Sequence, residues 1–224
     1  SDSDLRQKSD IVSDSIVLQG NNLYQSEGAN TVGNDISYVA DTMNLSGNTQ
    51  ASTLTLYAHK ASESAKGKIS ATRLELNDGD YDLSAGKNRI DTVHTRVNSL
   101  NLSNTEDISL DFNSTVDKDL NITGDKNVSL NGDNHVYGNS NITAAKDVIV
   151  KGRVQVDGDL TVSGNNITSE SPFYWGYEAI GSLNSRKSMT LLAKNNIFMP
   201  TINVTDGRYP FWGEPESNDI NNLN

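Results

Sequence analysis

Carboxylates are the commonest side chains in this chain that could bind a metal ion or move a proton, because 29 of its 224 residues are Asp or Glu. The densest group is at residues 77–82 (NDGDYD), where alternate carboxylates could converge on a calcium ion. The run lacks the following glycine and the distal glutamate of an EF-hand loop, so we interpret it as a solvated turn. The histidines lack metal-ligand spacing and are interpreted as surface or corner residues: His59, His94 and His135. We therefore predict no metal site and no cofactor.

A second set of carboxylates directly precedes apolar residues: Asp107, Asp147 and Asp159. Lyases and hydrolases that use two carboxylates need them on one face, and stacking of coils could bring these three together. An Asp just before an inward-facing residue, however, is suited to shaping a corner of the chain. We expect no catalytic residue, and the chain is predicted not to be an enzyme.

Apolar pairs separated by one polar residue recur through the chain with a period of about 20 residues. Such a pair is the pattern of a strand with one buried face. Two interleaved series with the same period describe a chain that coils back over itself. The sequence therefore predicts an all-β fold, a parallel β-helix with coils of about 20 residues. The rule for parallel crossovers makes a right-handed coil the expectation.

Two inward-facing columns follow from this spacing. The first is predicted to contain Leu100, Leu120, Ile142 and Leu160, and the second Ile108, Val128, Val148 and Ile167. Asn is abundant, and it suits this fold because it tolerates the left-handed conformation at corners and can stack into amide ladders.

The pattern divides the chain into three parts. Residues 1–9 are polar without a strand pattern and are predicted to be a tail, whereas residues 10–168 form the β-helix. Within the β-helix, residues 58–68 carry few apolar side chains and are interpreted as a corner loop or a third, more exposed face, with a short helix as the alternative. Residues 169–224 are an aromatic-rich C-terminal segment, predicted to be a distinct cap or contact unit.

The candidate contact residues are six aromatic side chains of that C-terminal segment: Tyr174, Trp175, Tyr177, Tyr209, Phe211 and Trp212. Two interpretations remain open. The aromatic residues pack together and cover an end or a side of the β-helix, whose edge would otherwise be exposed. Alternatively, they form a flat contact site for sugar rings or for a neighbouring subunit.

Three segments share an Asp followed by two apolar residues with one residue between them, and all three end in Gly: residues 118–124 (KDLNITG), 146–152 (KDVIVKG) and 158–164 (GDLTVSG). These segments resemble the β-helical repeats of filamentous-haemagglutinin-type exoproteins, the large bacterial adhesins of two-partner secretion. The resemblance covers residues 97–168 well and residues 10–96 loosely. It implies an extracellular, surface-attached and non-enzymatic protein.

We accordingly expect a structural or adhesive surface protein. A β-helix ends in a coil with unpaired backbone groups on one side, so we expect the chain to assemble end to end into filaments or to stack on neighbouring coils of a larger adhesin. The alternative is a carbohydrate-binding or carbohydrate-cleaving β-helical spike with a surface glycan as its partner. The formal net charge of −11 argues against nucleic acid and anionic membranes as partners, and no apolar run has the length of a transmembrane helix.

Overall fold

The computed structural model describes residues 3–170, 173–174, 177–178 and 181–205, with the backbone alone at 173–174 and 177–178. Every regular element in these residues is a β-strand. The strands are β1 Leu5–Gln7, β2 Ile11–Val12, β3 Ser15–Gln19, β4 Asn22–Gln25, β5 Asn30–Val32, β6 Asp35–Val39, β7 Thr42–Leu45, β8 Asn48–Tyr57, β9 Lys60–Glu63, β10 Lys68–Asn77, β11 Asp80–Val97, β12 Ser99–Asn104, β13 Ile108–Leu110, β14 Thr115–Val116, β15 Leu120–Gly124, β16 Val128–Leu130, β17 Asn134–Val136, β18 Ser140–Ala144, β19 Val148–Val150, β20 Arg153–Val156, β21 Leu160–Ser169, β22 Phe173–Tyr174, β23 Tyr177–Glu178, β24 Ser182–Ser185, β25 Met189–Phe198 and β26 Thr201–Val204.

Twenty-four of these strands form one sheet, whose neighbouring strands pair in parallel. The chain winds into a β-solenoid of about ten turns with about 20 residues in each coil, which confirms the predicted all-β parallel fold. At about 4.8 Å for each coil, the described solenoid is about 48 Å long. Its handedness stays a prediction.

Three ladders run along the solenoid and define three faces. Face A consists of β1, β4, β7, β9, β12, β15, β18 and parts of β11, β21 and β25. Face B consists of β2, β5 and the first parts of β8 and β10 in the early coils, and of β13, β16, β19 and parts of β21 and β25 in the later coils. The two groups are not in one continuous register, because β13 pairs with Thr92 and Val93 of β11, which stack on the face C part of β10. Face C consists of β3, β6, β14, β17, β20, β24, β26 and the ends of β8, β10 and β11.

The core consists of inward-facing Leu, Ile and Val side chains stacked from coil to coil. The second predicted column is confirmed, since the register pairs its residues in successive coils and none is more than 1% exposed: Ile108, Val128, Val148 and Ile167. Burial of such side chains is the main favourable contribution to folding.

The first predicted column is wrong at one position. Ser140, not Ile142, stands between Leu120 and Leu160 in the register. Ile142 lies two residues further on, in the adjacent column that contains Ile122 and Val162. In the eighth coil the inward position of this column is occupied by the polar Ser140, so the apolar residue nearest to the expected spacing is Ile142, at the next inward position.

The parallel ladder also extends beyond both predicted boundaries. Leu5 pairs with Leu23, so part of the predicted tail belongs to the first coil, in which the inward-facing Gln7 hides the apolar pattern. At the other end, β24, β25 and β26 continue the ladder into the predicted C-terminal unit. There Leu160 pairs with Met189, because intervening residues lengthen the coil and interrupt the period.

Residues 58–68, for which a short helix was the alternative, contain the face A strand β9 instead. Its Ala61 is 1% exposed and pairs with Met43 and Tyr81 in the adjacent coils. The described residues contain no helix with the length and apolar character needed to cross a membrane.

Candidate functional site

The aromatic residues predicted as a contact site lie largely beyond what the structure describes. β22 and β23 pair in antiparallel fashion, which places the backbones of Tyr174 and Tyr177 opposite each other. The side chains of these two tyrosines lie outside the described residues, as do Trp175, Tyr209, Phe211 and Trp212 entirely. The contact role of all six residues therefore stays a prediction.

The carboxylates that precede inward-facing residues bind the adjacent coil, as their predicted corner role requires. Asp107 Oδ1 accepts a hydrogen bond from the backbone N–H of Asn127 at 2.9 Å, and Asp147 Oδ1 accepts one from Asn166 at 3.0 Å. Asn127 Oδ1 in turn accepts from the backbone N–H of Asp147 at 3.1 Å. These side chains form a hydrogen-bonded Asx ladder between successive coils. Asp159 Oδ1 instead accepts a hydrogen bond from a side chain of the following coil, the Ser188 hydroxyl, at 2.7 Å.

Only Asp78 and Gly79 of the acidic run at 77–82 lie between strands, because Asn77 ends β10 and Asp80 begins β11, and the carboxylates of the run bind different partners. Asp78 Oδ2 lies 3.3 Å from His59 Nε2, while His59 Nδ1 lies 3.2 Å from Asp41 Oδ1. Asp80 accepts a hydrogen bond from a serine hydroxyl of the next coil, and Asp82 accepts one from Ser84. Among the described residues, no group of three or more His, Asp or Glu side chains could hold a metal ion.

His135, interpreted from the sequence as a surface or corner residue, belongs to a cluster of side chains on face C. Its ring stacks on Tyr137 with centroids 4.0 Å apart, and His135 Nε2 lies 3.1 Å from Asp157 Oδ1. Arg186 Nη1 donates to the other oxygen of Asp157 at 2.9 Å. The 20-residue period predicts part of this cluster, because Tyr137 and Asp157 are 20 residues apart and therefore occupy the same position in successive coils.

Glu63 is a buried carboxylate that sequence reasoning did not identify. It is 7% exposed, and Asn88 Nδ2 donates to its Oε2 at 2.8 Å, whereas Oε1 has no partner among the described residues. Burial raises the pKa of Glu63 from 4.5 to about 7, against smaller opposing effects of Asn88 and the backbone of Gly86. Glu63 lies two residues after the buried Ala61 in the same strand, so both side chains point inward. The sequence did not indicate this strand, because residues 58–68 contain few apolar side chains.

A second polar cluster lies inside the first three coils. Thr31 Oγ1 donates to Gln7 Oε1 at 2.9 Å, and Gln25 Nε2 donates to the same oxygen at 3.2 Å. The Tyr38 and Thr49 hydroxyls lie 3.0 Å apart, and burial raises the pKa of Tyr38. These side chains hydrogen-bond one another within the core, which offsets the cost of burying them.

Both terminal coils of the described ladder expose part of their apolar interior. The partly buried apolar residues that pack against the core at the two ends are Leu5, Ile11 and Leu18 in the first coil and Met189, Leu191, Ala193, Ile197 and Met199 in the last. Residues 181–205, which form the last coil and the face C strand of the coil before it, contain Arg186, Lys187 and Lys194 and no Asp or Glu, although the whole chain has a formal net charge of −11.

Two adjoining shallow grooves lie where faces B and C meet, with volumes of about 470 and 620 Å³. Gln50, Ala51 and Thr72 line both grooves. Ala51 and Ala71 pair in register at this bend, and such small inward-facing side chains allow the backbone to bend inward.

Comparison with protein-family models, curated proteins and solved structures found no match for this chain. The register and the coil length define its class, a β-solenoid repeat protein. Each coil packs against its two neighbours, as in other solenoids.

Proposed function

We propose that this chain is a non-enzymatic structural or adhesive protein of the extracellular surface, in which the β-solenoid is a rigid rod that associates with further copies of itself. The observation that carries the proposal is the partial exposure of inward-facing apolar residues in both terminal coils. The repeat form of residues 118–124 supports placing it with the filamentous-haemagglutinin-type exoproteins.

An edge coil has backbone N–H and C=O groups without partners on one side, and these groups can pair with another strand. In an end-to-end contact that continues the ladder, Leu5 of a second copy would follow Met189, and Ile11 would follow Ala193. Both pairs are apolar, so this register would extend two inward columns of the core. A head-to-tail contact of this kind does not close, so it generates a fibre.

The charges of the terminal coils favour the same polarity. The last described coil has only basic ionisable side chains, whereas the first contains the carboxylates of Asp4, Asp10 and Asp14 beside two basic residues. Opposite charges steer association and fix register more than they increase affinity. Since these charges are exposed, the attraction weakens as salt is added.

The experiment is to measure the mass and shape of the purified chain by light scattering and negative-stain electron microscopy over a concentration series. We expect rods that lengthen with concentration, and we expect the double substitution Lys187→Glu and Lys194→Glu to shift assembly to higher concentration. Lys146→Glu is the matched control, since Lys146 is equally exposed but lies on an internal coil.

A chain that stays monomeric at high concentration contradicts end-to-end assembly. If that monomer also binds glycans on an array, the carbohydrate-binding alternative is favoured. If rods form equally well from the double variant and the control, only the role given to the basic coil is wrong. Replacing Trp175 and Trp212 by Ser tests the predicted aromatic contact separately.

A further inference from the structure

The carboxylate of Glu63 occupies a space made by two glycines. A Cβ atom on Gly67 would lie 2.7 Å from Glu63 Cγ, and one on Gly86 would lie 2.4 Å from Glu63 Cδ. Contacts this short do not occur between real atoms, so both positions must lack a side chain for Glu63 to lie inside the coil. The site is therefore closed tightly around one ionisable group.

Asn88 is the side chain that hydrogen-bonds to this carboxylate, and both hydrogens of its amide group are used. Besides donating to Glu63, its Nδ2 donates to the carbonyl of Leu83 at 2.9 Å, and its Oδ1 accepts from the Ile69 N–H at 2.8 Å. Asn88 is 0% exposed, so it cannot turn to a second position without breaking these bonds. Glu63 Oε1 consequently has no partner among the described residues.

The neighbouring elements supply almost no compensating charge. Asp82, on the next coil, repels an ionised Glu63 carboxylate and so also raises the pKa of Glu63. The other groups packed around it are uncharged: Leu45 of β7, Gly67 of the turn after β9, and Leu83, Gly86 and Asn88 of β11. An ionised carboxylate in such a site is costly, whereas the neutral acid is tolerated.

Residues 84–87, which cover this site, form an irregular part of the ladder. Leu83 pairs with Leu102 and Asn88 pairs with Asn104, so four residues of β11 lie opposite one residue of β12. This bulge is partly exposed along its length, and Lys87 is exposed. Bulged residues interrupt the regular ladder and leave backbone groups unpaired, so they can move without breaking the adjacent rungs.

We infer that Glu63 and the bulge at 84–87 form a pH-responsive element, in which ionisation of the buried carboxylate opens the bulge and admits water to Oε1. At acidic pH the carboxyl group is neutral and the bulge is closed over it. As the pH rises, the charged group gains hydration in the open state, and the rest of the solenoid stays paired.

The size and direction of the effect follow from the two pKa values. The hydrated carboxylate has the ordinary pKa of 4.5, and burial raises the pKa in the closed state to about 7. The equilibrium constant for opening therefore rises from pH 4.5 through pH 7, by about 300-fold at most, and levels off at higher pH.

Hydrogen exchange measured by mass spectrometry tests this element in the full chain. We expect exchange at 84–87, corrected for the intrinsic pH dependence of exchange, to accelerate from pH 4.5 to pH 7 in the native protein. Glu63→Gln keeps the side-chain shape without the charge, and we expect its corrected exchange to be independent of pH. The matched control is Glu27→Gln, which removes an exposed carboxylate and leaves the native pH dependence intact.

A second pair of variants tests the geometry independently of titration. Gly86→Ala places a methyl group against the carboxylate, so we expect 84–87 to exchange rapidly and Lys87 to be cleaved by trypsin at every pH. Adding Glu63→Ala removes the clash, and we expect it to restore protection. The inference is overturned if Glu63→Gln keeps the native pH dependence, if the native protein shows none, or if Gly86→Ala is as protected as the native chain.

Discussion

Ser140 gives the most direct test of the core, because it puts a hydroxyl into a column of leucines. Its side chain is 3% exposed and lies between Leu120 and Leu160 in the register. Ser140 Oγ has no hydrogen-bond partner among the described residues. We therefore predict that Ser140→Ala stabilises the protein.

The magnitude follows from the cost of the unpaired group. A buried hydroxyl without a partner costs about 1–3 kcal/mol, and alanine removes the hydroxyl with little change in volume. We expect the free energy of unfolding to increase by about 1–2 kcal/mol. The matched control is Ser129→Ala, which makes the same chemical change on the outward side of face B and is expected to alter stability by less than about 0.5 kcal/mol.

Equilibrium urea unfolding followed by circular dichroism measures this difference. The midpoint should shift upward for Ser140→Ala at an unchanged dependence on urea concentration, which indicates a change in stability alone. If Ser140→Ala is less stable than the native protein, or indistinguishable from Ser129→Ala, then the hydroxyl is satisfied and the reasoning about this column is refuted.

Three further predictions concern the core, the buried acid and the corners. Leu120→Ala should lower the free energy of unfolding by about 2–5 kcal/mol in urea titrations, whereas the outward-facing Asn121→Ala should change it little. Because the pKa of Glu63 is raised to about 7, its contribution to stability is complete below pH 4.5 and is lost as the pH rises to 7. We expect the free energy of unfolding to decrease by up to about 3 kcal/mol over this range, measured by thermal or urea unfolding, and Glu63→Gln should abolish the decrease. Asp147→Ala removes the acceptor for the backbone N–H of Asn166 and should cost about 1 kcal/mol, measured as a lower urea midpoint; an unchanged midpoint would show that the corner does not need the carboxylate.

The repeated backbone features of this fold could be predicted from the sequence, because they impose a period on residue type. The inward column from Ile108 to Ile167 and the corner roles of Asp107 and Asp147 followed from that period. The predictions were wrong where this period was interrupted. Polar residues occupy inward positions at Ser140 and Gln7, and intervening residues lengthen the coil before Met189.

The side-chain clusters were harder to predict, because they depend on the direction of individual side chains in adjacent coils. From its residue type, Glu63 is expected at the surface. Its inward direction follows only once Ala61 is known to face the core in a face A strand, because residues two apart in a strand point to the same side. His135 was judged by its neighbours in sequence, whereas its partner Asp157 lies one coil further on.

X-ray fibre diffraction from an aligned, concentrated solution of the intact chain tests the central claim, a parallel solenoid that continues from copy to copy. We predict a sharp reflection at about 4.8 Å along the rod axis, from coils stacked in register through many copies. The account would be contradicted by isotropic scattering from separate particles whose longest dimension stays near 48 Å at every concentration.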